Sequence, residues 1–576
     1  MVLRKTLTFS LFALPVLAGA YFLYRYSVNV LWMDEFDLVP LATGEHLPSL
    51  ADLFRQHNEH RIFFPQIVYF FLAKASAMNS LAVMWASFVL VAALYGVALR
   101  QLSRQASGPV LLFSGFLLGC ALFYPSQHGN ILWAFQFAFY MTFVFAILAI
   151  LFFQAGWDKN RASVFGWWLA LALVAAIIAS FSSSQGLLIW PIIAMLWLCA
   201  DGKKALAAKT FWLWLVVAAG VWLLYFHGYT KPVHHPSLAI IVTSPLSWQA
   251  YFLVLFGAAF GWSGSPLVIG ALGFLILGGA VAAIALFIRS CLAGRPAGLF
   301  AAGVIAYSLF CGLSIAVGRA GLGWQQALAP RYCTFTLAAV WGISSYLAIW
   351  LSGKKEVENR PRRLAVFFCL IFIAVTMAVS LPKTLRVAAD WKQQGVLWQY
   401  YLRTADWQTG DNLKALFISS DIVRKYAASL RERGYNAFAG WAEPDWQAIE
   451  YVDSPNNFPL ILDQATITGD TLSLRGSCFD PQTAKPAQSI WLNLGEKRFL
   501  LFSGAPSPDV ARTMKNQALA FSGFAADIPL AAMPPGDFPL RFAVIGADGN
   551  KLYEVSKDIR LLHDADGVRL QRLEER

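Results

Sequence analysis

Apolar runs of about twenty residues recur along the first two-thirds of this 576-residue chain. A bilayer core takes roughly 20 apolar residues per helix, so each run is long enough to span one. The runs lie near 7–26, 81–99, 109–124, 131–153, 163–181, 186–200, 210–227, 266–288, 298–318, 331–351 and 364–382, which predicts about eleven spans. Only 14% of the residues are charged, against roughly 25% in soluble domains, and this excludes an ordinary soluble globule. The N-terminal run follows Arg4 and Lys5 without a clean small-residue cleavage site, so it reads as a retained signal-anchor. The seven cysteines are scattered and show no metal-type spacing.

The net charge of +12 does not point to nucleic acid, because the basic residues sit in short loops. Arg100, Arg104, Lys159, Arg161, Lys203, Lys204, Lys209, Arg289, Arg295 and the group from Lys354 to Arg363 fall in alternate loops. The short intervening loops after the first carry only Lys231, Arg319 and Arg331. The positive-inside rule then puts the N-terminus in the cytoplasm and the C-terminus outside. Two shorter apolar stretches, 62–73 and 248–262, would reverse this pattern if counted as spans. They are expected to lie at or re-enter the outer interface.

Three regions follow. Residues 1–382 form the membrane core, and its first outer loop, 27–80, carries the acidic run Trp32-Met33-Asp34-Glu35-Phe36-Asp37. Residues 383–454 read as a helical linker, with an amphipathic helix from Asp421 to Arg433. From 455 to 576, short alternating runs such as Ile490-Trp-Leu-Asn-Leu are broken by Gly, Pro, Asp and Asn. They predict a small antiparallel β-sandwich outside the membrane. Trp491 and Phe499 are expected in its core, with sugar stacking as the lesser alternative.

Chemistry-bearing residues gather at the outer ends of the spans. A carboxylate such as Asp34 suits general-base work on a hydroxyl, with Glu35 and Asp37 as supporting acids; the same group could hold a divalent cation. If the segment is helical, His57, His60 and Arg61 share one face at i, i+3 and i+4, with Glu59 beside them. Arg331 and Arg319 stand at outer span ends, where cations are disfavoured, and a guanidinium fork matches a phosphate. His128 and His234 are further outward polar residues that could meet a substrate. A solvated loop, a helix end at the headgroups and snorkelling side chains are the plainer readings of the same residues.

The signal-anchor, the Asp34-Glu35 pair, the interfacial segment after it and the Pro330-Arg331-Tyr332 entry to a late span resemble the glycosyltransferase C superfamily. The likeness is to the branch with the aminoarabinose and protein mannosyl transferases. It implies an inverting transfer of a sugar from a polyprenyl-phosphate donor to a glycan, lipid or protein acceptor, in the periplasm at the inner membrane. It implies Asp34 as base and Arg331 and Tyr332 near the lipid phosphate; no cofactor is certain, and a divalent cation stays possible. Where the family carries Lys-Pro-Pro, this chain has Glu59-His60-Arg61 and Pro65, so Arg61, with His60 or Arg319, is the expected replacement. The segment from Gly476 to Ala487, with Gly546-Ala-Asp-Gly549, resembles a β-sandwich module appended to envelope glycosyltransferases. The alternatives are a lipid or oligosaccharide transporter, or a ligase-type transferase of another fold. The near absence of charge within the spans weighs against transport.

Overall fold

A computed structural model describes the chain apart from residues 1, 45–47, 160–161, 233–235, 238–239, 262–264, 353–359, 442, 445, 447–450, 454–458, 481–482, 548, 550–551, 566 and 573–576. The side chains of several residues flanking these also fall outside the description. The chain divides into two compact units. One comprises residues 1–28 and 40–393, the other residues 29–39 and 394–576.

The first unit is a helical bundle. Among the described residues, ten helices are long and apolar enough to cross a membrane. All eleven expected apolar segments fall on helices; 163–181 corresponds to Ala162–Ser180, which is shorter over its described residues. Small side chains allow close packing in the core: Ala146, Ala149, Ala172, Ala176 and Ala179 are fully buried. In lipid, where no hydrophobic drive brings helices together, such close backbone approach supplies the packing energy.

The two short stretches form the helices Phe63–Ala75 and Pro245–Gly257, both too short to span. Pro245–Gly257 does not rest on a surface: Tyr251, Val254, Leu255 and Phe256 are buried. It crosses Pro266–Leu292 at paired glycines. A Cβ on Gly257 would lie 1.8 Å from the carbonyl oxygen of Ile269, and one on Gly273 would lie 1.9 Å from that of Leu253. Phe256 also fills the space that a side chain at Gly312 would need.

The last long helix, Arg360–Arg403, corrects the expected break at 382. It runs unbroken through Pro382, and its residues from Gln394 belong to the second unit. At 1.5 Å per residue its length of roughly 66 Å is about twice what a bilayer requires.

In the second unit the amphipathic helix is Ser420–Arg433. The Ser419 side chain accepts from the Ile422 amide at its start, and Gly434 closes it at φ +64°. The β region differs from the expected two-sheet sandwich. Among the described residues it is one ten-stranded sheet, nearly closed into a barrel. Lys497–Ala505 makes the connection: Lys497–Leu501 pairs with Ser489–Leu494, and Phe502–Ala505 pairs with Gly523–Pro529. The register shifts there, next to Gly504 at φ +111°. A bulge of this kind bends a strand and lets one sheet turn a corner. Leu472, Leu492, Phe499, Phe542 and Leu561 fill the interior. Trp491, Leu500, Ala543 and Ile545 form a second cluster with Tyr400. Ser489–Leu494 is therefore buried on both faces.

Candidate functional site

In the first unit the polar residues converge through a two-residue hairpin turn. His57 pairs with His60 and Gln56 with Arg61, with Asn58 at the tip in a left-handed conformation, φ +49°. Asn tolerates that region where most residues do not. The helix expected here is absent, so His57, His60 and Arg61 do not share a helical face. Neighbouring His60 and Arg61 point to opposite sides of their strand.

The hairpin is tied to several helix ends. Gln56 exchanges two hydrogen bonds with the Thr230 backbone, at 2.6 and 3.0 Å. The phenol of Tyr225 donates to the Glu59 carbonyl at 2.9 Å and accepts the Arg61 amide at 3.3 Å. The Arg61 guanidinium is buried and donates to three backbone carbonyls: Tyr225 at 2.6 Å, Phe54 at 2.7 Å and His227 at 2.5 Å. It also lies over the Phe54 ring, 4.8 Å from its centroid. That geometry makes Arg61 a brace for the hairpin.

Glu59 pairs with Arg319, at the end of helix Leu299–Arg319. His60 is buried, and its Nδ1 accepts the Ser184 amide at 3.2 Å. An acceptor Nδ1 leaves the proton on Nε2, which faces Glu59 Oε1 at 3.7 Å. His57 packs against Phe135, 5.0 Å between ring centroids. His128 is buried, edge-on to Trp391. His234 lies outside the described residues.

A second polar group surrounds Arg331. Asn130 donates to the Arg331 carbonyl at 2.8 Å and to Thr334 at 2.7 Å. Gly129 permits this approach, because a Cβ there would sit 2.9 Å from the Pro330 ring. The Arg331 guanidinium lies over the Tyr332 ring, 5.1 Å from its centroid. Gln326 donates to the Tyr332 oxygen at 2.8 Å and accepts from the Tyr251 phenol. Burial raises the Tyr251 phenol well above its usual range; the Tyr332 phenol raises it further, and the guanidinium charges of Arg331 and Arg319 act in the opposite sense. Both arginines therefore reach the same phenol with their fields. Arg319 is matched by Glu59, whereas Arg331 has no carboxylate within ion-pair range among the described residues. A half-buried guanidinium with spare donors is suited to bind an anion.

The acidic run belongs to the second unit. It forms a short 3-10 helix, Met33–Leu38. Glu35 is buried and accepts the Trp32 amide at 3.0 Å, so one supporting acid is spent on holding the turn. The Met33 amide bonds the Leu416 carbonyl at 2.7 Å, and the Trp32 indole bonds that of Ala415 at 3.1 Å. Trp32 stacks on Trp398 at 4.8 Å. Asp34 is half-buried and Asp37 exposed. Their carboxylates approach within 4.8 Å.

Tyr225, Tyr251 and Gln326 organise these groups, yet nothing in their local sequence marks them. Neither protein-family models, nor curated proteins, nor solved structures give a match to this chain.

Proposed function

We propose that the chain is a membrane-embedded inverting glycosyltransferase that takes a sugar from a polyprenyl-phosphate donor. Arg331 carries this reading: among the described residues it is a guanidinium without a carboxylate partner, at a span end, next to a phenol network, in an otherwise oily bundle. The acceptor oxygen attacks the anomeric carbon and the bond to the phosphate oxygen breaks. The acceptor proton passes to a carboxylate, and polyprenyl phosphate departs. Arg331, with Tyr332 and Arg319 near it, stabilises the charge that grows on the phosphate. The leaving group is already a stable anion, so no general acid is required.

Asp34 is the proposed base. Burial and a bond to the Trp32 amide favour Asp34 over Glu35 for that role. In this reading the basic loops face the cytoplasm, and the ends bearing Arg319 and Arg331 face the periplasm, with the C-terminal unit. The test uses the purified chain in liposomes with polyprenyl phosphates carrying tritiated hexoses or pentoses, and native membrane lipids and glycans as acceptors. Label should move to an acceptor with wild type and fall sharply with Arg331→Gln. Transfer at the wild-type rate by a folded Arg331→Gln chain would refute the phosphate assignment.

A further inference from the structure

The second unit holds a cavity of about 550 Å³ formed by residues on the helix Arg360–Arg403, the segment near 440 and the sheet. That volume falls within the roughly 300–1,000 Å³ of small-molecule sites. We propose that it binds an acidic saccharide, with ring faces taken by aromatic side chains and the acid by Arg403. The inference goes beyond the transferase reading and does not depend on it.

The lining is mixed in a way that narrows the ligand. Trp441, Trp491 and Phe502 supply aromatic surface, and Gln399, Gln488 and Ser489 supply amides and a hydroxyl. A sugar ring presents apolar C–H faces and polar hydroxyl edges, so it uses both kinds of group. A lipid tail would desolvate the Gln488 amide and the Arg403 guanidinium without pairing them, which is costly. A peptide adding as a strand needs a free sheet edge. Ser489–Leu494, the strand that lines the cavity with Ser489 and Trp491, offers none, because it is paired with Arg541–Ile545 on one side and with Lys497–Leu501 on the other.

Arg403 gives the expected charge. Its Nε donates to the Ala437 carbonyl at 2.8 Å, and its guanidinium lies over Trp441, 5.6 Å from the ring centroid. Among the described residues it meets no carboxylate, and its two Nη groups make no other hydrogen bond. A guanidinium held over an indole, with its outer donors unspent among the described residues, is suited to a carboxylate or phosphate on a stacked sugar.

The experiment is calorimetric titration of the purified full chain in nanodiscs with trigalacturonate and sialyllactose, beside neutral maltotriose and lactose. At least one acidic saccharide should bind at millimolar concentration, about tenfold or more tighter than its neutral counterpart, a difference of one charge-assisted contact. Arg403→Gln should erase that preference, and Trp441→Ala should weaken every saccharide. Failure of both acidic saccharides to bind, or equal binding of acidic and neutral ones, would overturn the proposal. The wild-type ratio decides the question even if a variant melts early. Because binding is read without transfer, a negative result leaves the transferase reading untouched, and loss of transfer leaves this one untouched.

Discussion

Glu59 and Arg319 are 260 positions apart in sequence and form an ion pair in which both side chains are only 20% exposed. The pair joins the hairpin tip to the end of helix Leu299–Arg319. Removing one partner strands a partly desolvated charge, which costs more than removing both. Glu59→Gln alone should destabilise the chain by about 2 kcal/mol, and Glu59→Gln with Arg319→Gln by less than the two singles together. Melting curves of the four proteins in one detergent, taken as a double-mutant cycle, check this.

Arg61 and Arg331 share a residue type but differ in their expected response to lysine. Arg61 serves three carbonyls in fixed directions, and one ammonium cannot reproduce that fork. Arg61→Lys should lower the melting temperature. Arg331→Lys should leave it nearly unchanged, because among the described residues its guanidinium bonds only the neighbouring Tyr332. Parallel thermal scans distinguish the two outcomes.

The crossing at Gly257 and Gly273 tolerates no side chain. Gly273→Val should cost at least about 2 kcal/mol, because backbone rather than a yielding side chain stands in the way. Gly270, with open space around its Cβ position, is the control and should accept alanine with little change. Yield of folded, monodisperse protein measures the contrast.

Cys478 gives a pH prediction. Burial raises its thiol well above the ordinary value of 9.0; the nearby Lys557 charge acts the other way, and the Asp480 charge adds a smaller push upward. A group whose folded pKa is raised contributes stability in full below its unfolded pKa and loses it as pH rises beyond that value. Stability should therefore be insensitive to this thiol below about pH 9 and decline above it. Cys478→Ala should flatten the alkaline decline. Native Cys478 should also resist maleimide at neutral pH and react only after denaturation.

Much of the bundle is legible in the sequence, because hydropathy over twenty residues averages out local irregularity. The helix Ser420–Arg433 is legible from its amphipathic period instead, with Ser419 and Gly434 marking its ends. The hairpin is not. Two-residue strands have no periodicity to read, and His57, His60 and Arg61 happen to match a helical spacing. Arg61 looks like a phosphate ligand until its three carbonyl partners, up to 166 positions away, are known. The continuous sheet is also hidden, because alternation marks single strands but not that Lys497–Ala505 pairs with Ser489–Leu494 through its first half and with Gly523–Pro529 through its second. The acidic run reads as a loop of the membrane core, but it belongs to the second unit, where Trp32 and Met33 are held by Ala415, Leu416 and Trp398.

The central claim is that Asp34 takes the acceptor proton during transfer from a polyprenyl-phosphate sugar. The most direct measurement is the single-turnover transfer rate in liposomes for wild type and Asp34→Asn, with donor binding measured on the same samples. The account predicts that Asp34→Asn keeps its fold and donor affinity while the rate falls by about 10²–10⁴. An unchanged rate in a folded Asp34→Asn chain, or the same loss from Glu59→Gln but not from Asp34→Asn, would contradict it.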